Sequence, residues 1–216
     1  MSLQPLHDAR TMNSKDTEVL VLGSGNLLWA DEGFGVRCVE ALAAGWTLPP
    51  GVSVMDGGTQ GLALLPYIQA ARRLLVFDAI DYGLPPGTLK VVEGDEVPRF
   101  MGVKKMSLHQ TGFQEVLMAA EMTAQPPEEL VLIGVQPEEL EDYGGSLRPI
   151  VRERVADALA LALARLEAWG FPARPTAEPV ALNDGSLAIE RYEAERPSAE
   201  AACRIGDARF LPGIGT

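Results

Sequence analysis

Short apolar runs alternate with stretches of helical periodicity along most of this chain. Each run is bounded by glycine, proline or an acidic residue, which is typical of buried strands. The runs that we interpret as strands are residues 18–23, 51–58, 73–81, 88–94 and 130–135. Between them, apolar residues recur at spacings of three and four, which predicts helices. The first such face consists of Val36, Val39, Ala43 and Trp46. Strands that alternate with helices predict an α/β fold, with helices on both faces of a mostly parallel sheet.

The periodic pattern stops well before the end of the chain. The last predicted helix has Ser146 as its N-cap, and its apolar face ends at Trp169. Proline, alanine and charged residues then dominate without periodicity. We therefore predict a flexible N-terminal segment at 1–17, an α/β domain at 18–170 and a C-terminal extension at 171–216. We expect the extension to be partly ordered and to wrap the domain or meet a partner.

The charge balance narrows the kinds of partner. The chain has 216 residues with 18 basic and 30 acidic side chains, giving a net charge of −12 at pH 7. A surface of that sign repels a phosphate backbone, so we expect no nucleic-acid partner. No apolar run approaches the roughly 20 residues of a membrane helix, so we also expect no membrane span.

The N-terminus and the cysteines bear on location and assembly. Residues 1–18 are polar and mixed in charge. They lack the apolar core of a secretory signal, so we expect a cytoplasmic protein. The two cysteines, Cys38 and Cys203, are too few for a disulfide framework or a zinc knuckle. The domain is long enough to bury a core without a partner, and we expect a monomer.

Polar side chains collect at the predicted carboxyl ends of the strands. In open α/β sheets, ligands bind beyond those ends. A histidine, His109, also precedes a later predicted helix. The candidates after the first three strands are Asn26, Asp31, Glu32, Asp56, Asp78 and Asp81.

The residues argue against several common kinds of site. Gly23 and Gly25 begin a dinucleotide-binding fingerprint, but leucine occupies position 28, where a third glycine is needed. Asp31 and Glu32 would also place negative charge beside a pyrophosphate. The chain has no phosphate-binding P-loop, no G-x-S-x-G nucleophile turn and no H-E-x-x-H helix. A cysteine within the first helix, such as Cys38, is more typical of a small core residue than of a nucleophile.

Two carboxylates and one imidazole remain as candidate chemistry. Glu32, Asp78 and His109 belong to three different strand-end connections that can converge on one crevice. Two oxygen donors and one nitrogen donor suit a divalent transition ion such as nickel or zinc. The same residues also fit structural roles, because an acid stabilises a helix N-terminus and an aspartate often ends a strand in a turn.

Six motifs together resemble the hydrogenase maturation endopeptidases. These are nickel-dependent proteases that process the large subunit of nickel–iron hydrogenases. The motifs follow one another in the order and spacing of that family and cover about residues 17–170. They are LVLGSGNLLWADEGFGVRCVEAL at 20–42, MDGGTQG at 55–61, LLVFDAID at 74–81, PPGTLKV at 85–91, SLHQTG at 107–112 and GVQPEELE at 134–141.

The resemblance implies a fold, a substrate and a set of site residues. The fold would be a three-layer αβα sandwich around a twisted, mostly parallel five-stranded sheet. Glu32, Asp78 and His109 match the metal-binding acids and histidine of the family, and Asp56 matches another acid associated with its site. The substrate would be the large-subunit precursor, whose C-terminal extension is removed after nickel insertion. The nickel would therefore be supplied by the substrate.

The resemblance leaves the chemical roles open. The ion would polarise the scissile carbonyl or lower the pKa of a bound water, and Asp78 or Asp56 would act as the base. Two other functions use the same ligands. One is a nickel-sensing maturation chaperone without peptidase activity, and the other is a zinc-dependent amidohydrolase.

Overall fold

The computed structural model describes residues 17–97 and 108–195, except for the side chains of residues 108–112 and 186. Residues 1–16 of the predicted N-terminal segment lie outside this description. So do residues 98–107, which precede a long helix, and residues 196–216 of the predicted C-terminal extension.

Five strands form the central sheet, in the order β3-β1-β4-β6-β5. The pairs β1–β3, β1–β4 and β4–β6 are parallel, and only β5 runs antiparallel to its neighbour. Two further short strands, β2 and β7, pair with each other in an antiparallel manner. The strands are β1 Thr17–Ser24, β2 Trp46–Thr47, β3 Val52–Gly58, β4 Ala71–Ala79, β5 Leu89–Glu93, β6 Glu129–Val135 and β7 Arg174–Pro175.

Helices cover both faces of this sheet. They are α1 Phe34–Gly45, α2 Leu65–Ala70, α3 Leu108–Met122, α4 Pro149–Arg152, α5 Arg154–Ala168 and α6 Ile189–Glu195. In the described part of the chain, 3-10 turns lie at Ala30–Gly33, Gly61–Leu64 and Gly185–Leu187. Within residues 17–97 and 108–195, none of these helices combines the length and apolarity needed to cross a bilayer.

The alternation of side chains along β1 shows why two helical layers form. Val19 and Val21 lie in one core cluster with residues of α1 and α5. Leu20 and Leu22 lie in a second cluster with residues of α2 and α3. Successive residues of a strand point to opposite faces, so a strand that is apolar at every position must be covered on both sides. The predicted αβα arrangement with a mostly parallel five-stranded sheet is confirmed.

Two predicted details are wrong. Trp46 was expected on the apolar face of the first helix, but its backbone is extended and it begins β2. Ser146 was expected to cap a long helix, but the helix begins only at Pro149 and is interrupted at Glu153. Arg148 precedes proline, which disfavours the helical region for its backbone. The Ser146 hydroxyl donates instead to Glu193.

The described part of the extension crosses the surface as a strap, which we define as residues 174–195. Thr176 N donates to Gly45 O at 3.0 Å, and Val180 N donates to Ala43 O at 3.4 Å. Further along, Arg37 Nη1 donates to Leu187 O at 2.6 Å. The strap therefore runs back along α1, from the end of that helix towards its beginning at the carboxyl edge of the sheet.

Candidate active site

Two glycines allow the connection between β1 and α1 to fold back tightly on the sheet. A Cβ atom added at Gly25 would lie 1.8 Å from Glu32 O, and Gly25 has a φ of +137° that only glycine adopts readily. A Cβ atom at Gly35 would lie 2.2 Å from both Phe77 O and Ser24 O. The start of α1 therefore packs directly against the ends of β1 and β4. This packing brings residues 31–35, with the sequence DEGFG, to the carboxyl edge of the sheet.

Glu32 and Asp78 are the two acids that this packing brings to the same edge. The 3-10 turn that carries Glu32 packs against β4, and Asp78 is the penultimate residue of β4. Glu32 is 8% exposed and Asp78 is fully buried. One Asp78 oxygen accepts a hydrogen bond from Ala79 N at 2.8 Å. Buried carboxylates on adjoining elements repel each other, and a cation placed between them would relieve that repulsion.

Asp31, the other acid of DEGFG, has a structural role. Its Oδ2 accepts hydrogen bonds from Glu138 N at 2.8 Å and Glu139 N at 2.9 Å. Its Oδ1 accepts from Arg148 N at 2.7 Å, and the whole side chain is buried. Three backbone donors therefore hold this carboxylate between the β1–α1 connection and the connection that follows β6. Asp31 therefore supports the fold, whereas Glu32 stays the candidate ligand of this pair.

The GVQPEELE motif contributes Gln136, whose role the sequence did not reveal. Its Oε1 accepts hydrogen bonds from Tyr82 N at 2.8 Å and Leu84 N at 3.1 Å. Its Nε2 donates to Asp81 Oδ1 at 3.0 Å. Asp81 also accepts from Gly83 N, so this second acid of the FDAID segment shapes the loop after β4. Asp81 is accordingly a structural residue.

Tyr82 is a neighbour of Asp78 that sequence reasoning missed. Its hydroxyl occupies the space beside Gly134, where an added Cβ would lie 2.1 Å from the tyrosine oxygen. Gly134 pairs with Asp78 in the β4–β6 register. Burial raises the pKa of Tyr82 above its ordinary value, and the negative charge of Asp78 raises it further. The phenol consequently stays protonated next to the candidate site.

Asp56 lies near the end of β3, in register with Gly23 of β1. Its Oδ1 accepts a hydrogen bond from Gly58 N at 2.8 Å. Its Oδ2 accepts from Asn183 Nδ2 of the strap at 2.7 Å. Asn183 was also missed, because it belongs to a segment without periodicity or a recognisable motif.

His109 is the second residue of α3, and its side chain lies outside the described residues. Among the side chains that are described, no group of three or more histidines, cysteines and acids could hold a metal ion. The proposed trio of Glu32, Asp78 and His109 therefore stays a prediction. Cys38 is buried, and burial raises the pKa of its thiol well above the ordinary value, as expected for an inert core residue.

Comparison with known proteins gives consistent matches. The sequence model of the family described as hydrogenase maturation protease matches residues 36–165. The hydrogenase expression/formation protein HoxM of Cupriavidus necator is 59% identical over 198 residues, covering 90% of this chain and 98% of that protein. The hydrogenase 2 maturation protease of Escherichia coli K12 is 42% identical over 158 residues, covering 73% of this chain and 95% of that protein.

A solved structure supports the same relationship. The hydrogenase maturating endopeptidase HybD from E. coli superposes with a TM-score of 0.71 and 40% sequence identity. The superposition covers 99% of HybD but only 74% of this chain. About a quarter of the present chain therefore has no counterpart in that protein, whereas the HoxM relative accounts for 90% of it.

Proposed function

The chain belongs to the hydrogenase maturation protease family and is a peptidase, and from that premise we propose that it removes the C-terminal extension of the nickel-loaded hydrogenase large-subunit precursor. The observation that carries the proposal is the placement of Glu32 and Asp78. Both acids are buried at the carboxyl edge of an open α/β sheet, on elements that pack against each other. Ligands of such sheets bind at that edge.

Glu32, Asp78 and His109 would bind the nickel that the precursor carries. Carboxylate and imidazole donors suit a borderline divalent ion and leave coordination positions for the ligands already present in the precursor. The ion then docks the substrate as well as taking part in cleavage. A precursor without nickel would lack this anchor, so cleavage would follow metal insertion.

Cleavage also needs a nucleophile and a base. A water held at the ion would attack the scissile carbonyl, which the ion polarises. Asp78 or Asp56 would accept the proton of that water. Tyr82, protonated beside Asp78, would remain a hydrogen-bond donor at the same edge.

The test is incubation of the purified full-length protein with nickel-loaded and nickel-free precursor, with mass spectrometry of the precursor C-terminus. We expect shortening only of the loaded form. Glu32→Gln, Asp78→Asn and His109→Ala should each slow cleavage by about 100-fold or more, because each removes a ligand of the ion. Asp157→Asn is the matched control, since Asp157 is an exposed acid that pairs only with Arg154 among the described contacts.

The outcomes separate this proposal from its alternatives. Normal cleavage by all three site variants would show that Glu32, Asp78 and His109 do not form the active site. A stable complex with loaded precursor and no shortening would favour a nickel-sensing chaperone. Zinc that co-purifies stoichiometrically with the isolated protein, without cleavage of the precursor, would favour an amidohydrolase.

A further inference from the structure

Among the described contacts, the side chain of Asn183 links the strap to the candidate active site. Its Nδ2 donates to Asp56 Oδ2 at 2.7 Å and to Glu40 Oε1 at 3.0 Å. A side-chain amide has two N–H donors on its nitrogen. Both donors of Asn183 are therefore given to carboxylates, one on α1 and one at the end of β3.

The second bond changes what the Asp56 carboxylate can do. Gly58 N holds only Oδ1, at 2.8 Å. The terminal torsion of an aspartate is broad, so a single bond leaves the carboxyl plane free to turn about the Cβ–Cγ bond. The Asn183 amide holds Oδ2 as well and fixes the plane. The orientation of Asp56 is thus set jointly by its own turn and by the strap.

The position of Asn183 is itself constrained from both sides. Before it, Val180 N donates to Ala43 O at 3.4 Å. After it, Leu187 O accepts from Arg37 Nη1 at 2.6 Å, and Arg37 is only 6% exposed. The same Arg37 nitrogen donates to the remaining oxygen of Glu40 at 2.7 Å. One connected network therefore links the body, the strap and Asp56.

We propose that Asn183 is a positioning residue that orients the Asp56 carboxylate for peptide cleavage, so that the C-terminal strap completes the active site of this chain. This inference rests on the proposed function, because it requires Asp56 to act in the reaction. The match to the family's sequence model ends at residue 165, before the strap begins. Asn183 therefore lies outside the part of the chain that the family's sequence model matches.

The test measures kcat and KM for nickel-loaded precursor with full-length variants. Asn183→Ala should lower kcat by about 10-fold and change KM by less than about twofold, since orientation of a catalytic group acts on the chemical step. Asn183→Asp has the same shape but exchanges the donor for an acceptor, so it should lower kcat at least as much. Thr176→Ala is the strap control, because the Thr176 hydroxyl bonds only Glu178 among the described contacts.

A double-mutant cycle separates positioning from a merely structural role. Asp56→Asn should lower kcat by about 100-fold, within the range for loss of an acid–base group. Asn183→Ala added to Asp56→Asn should cause no further loss beyond about twofold, because Asn183 acts through Asp56. A structural role would instead give the same 10-fold loss in both backgrounds. Thermal melting of every variant identifies loss of fold.

The outcomes that overturn the inference differ from those that overturn the proposed function. Wild-type kcat in Asn183→Ala and Asn183→Asp, with a slow Asp56→Asn, would remove the role of Asn183 and leave the peptidase assignment intact. Two other results would also refute the role of Asn183. One is an equal loss of kcat on adding Asn183→Ala to the wild type and to Asp56→Asn, and the other is a normal kcat in Asp56→Asn. Failure of the wild-type protein to shorten the loaded precursor would overturn the proposed function itself.

Discussion

The α/β body and the strap are held in place by different physics. In the body, the side chains of residues 19–22, 74–79 and 131–135 are buried on both faces of the sheet, and the close backbone contacts at Gly25 and Gly35 leave no room for a side chain. In the strap, none of the residues whose side chains are described is buried, and only Leu182 and Ile189 pack against the core. The strap is held mainly by hydrogen bonds and ion pairs. The site therefore has acids fixed by packing and one acid, Asp56, whose orientation depends on a weaker element.

Asp31 provides the largest expected effect on the body side of this comparison. Replacing Asp31 by alanine would leave three buried backbone donors without their acceptor. We expect a loss of about 4 kcal/mol in the free energy of unfolding, because each orphaned donor costs roughly 1–3 kcal/mol and neighbouring losses are not fully additive. Urea unfolding measures this change. Glu32→Gln, one residue further on, should keep its stability and lose cleavage activity, and equal destabilisation of both variants would contradict the division of roles.

Gly35→Ala tests the close approach of α1 to the sheet. The new Cβ would meet Phe77 O and Ser24 O at 2.2 Å, and backbone atoms cannot move aside without shifting a strand. We expect a loss of about 3 kcal/mol in the free energy of unfolding, at the upper end of typical overpacking costs. Gly45→Ala, in the last position of the same helix, is the control.

The Gly45 control has a clear physical basis. An added Cβ there meets nothing within 4 Å. That change should be neutral or stabilising by up to about 1 kcal/mol, because alanine is the better helix former. If urea unfolding gave Gly35→Ala and Gly45→Ala the same stability, the packing explanation for Gly35 would be wrong.

The body was predictable because its signals are local and repeated. Continuous apolar runs such as residues 130–135 indicate strands covered on both faces, and parallel strands bring their carboxyl ends to one edge. That rule predicts that Glu32 and Asp78 lie at the same edge of the sheet. The sequence favoured Glu32 over Asp31 as a ligand, but it did not reveal the different role of Asp31, whose carboxylate accepts hydrogen bonds from three backbone donors. The difference arises because successive residues of a 3-10 turn point in directions about 120° apart.

The strap was predictable only as an extension, not in its contacts. Asn183 meets Asp56 across 127 positions of sequence. A periodic sequence pattern does not predict such a contact, because isolated hydrogen bonds set the path of the strap and a continuous apolar face does not. The same reason explains Ser146, whose hydroxyl donates to Glu193 of the strap instead of capping a helix. Long-range polar pairing depends on tertiary geometry that local patterns do not encode.

Arg37→Met should weaken the strap more than any other single anchor. It removes the hydrogen bond to Leu187 O and the ion pair with Glu40, while the methionine keeps much of the apolar stem. We expect faster hydrogen exchange of amides within 183–192 and a loss of about 1–2 kcal/mol in local stability, as for a buried charge-assisted hydrogen bond. Exchange measured by mass spectrometry provides the readout. Accelerated exchange spread equally over β4 would show that Arg37 supports the whole body instead.

The smallest expected effect concerns the last described anchor of the strap, Glu193. Partial burial opposes ionisation of this carboxyl, but the hydrogen bonds from Ser146 and Arg152 outweigh it and hold the pKa of Glu193 below its ordinary value. A lowered pKa in the folded state stabilises the fold above the unfolded pKa of about 4.3, and the stabilisation is lost as pH falls through the lowered value. Protection of amides in α6, normalised to the intrinsic exchange rate, should therefore fall below about pH 4 before protection in β4 does.

Glu193→Gln should have lower protection of the α6 amides at neutral pH, by less than about 1 kcal/mol, because the Arg152–Glu193 pair is partly exposed. The variant should also lose this pH dependence. If wild type and Glu193→Gln lost α6 protection along the same pH curve, another group would be responsible for anchoring the end of the strap.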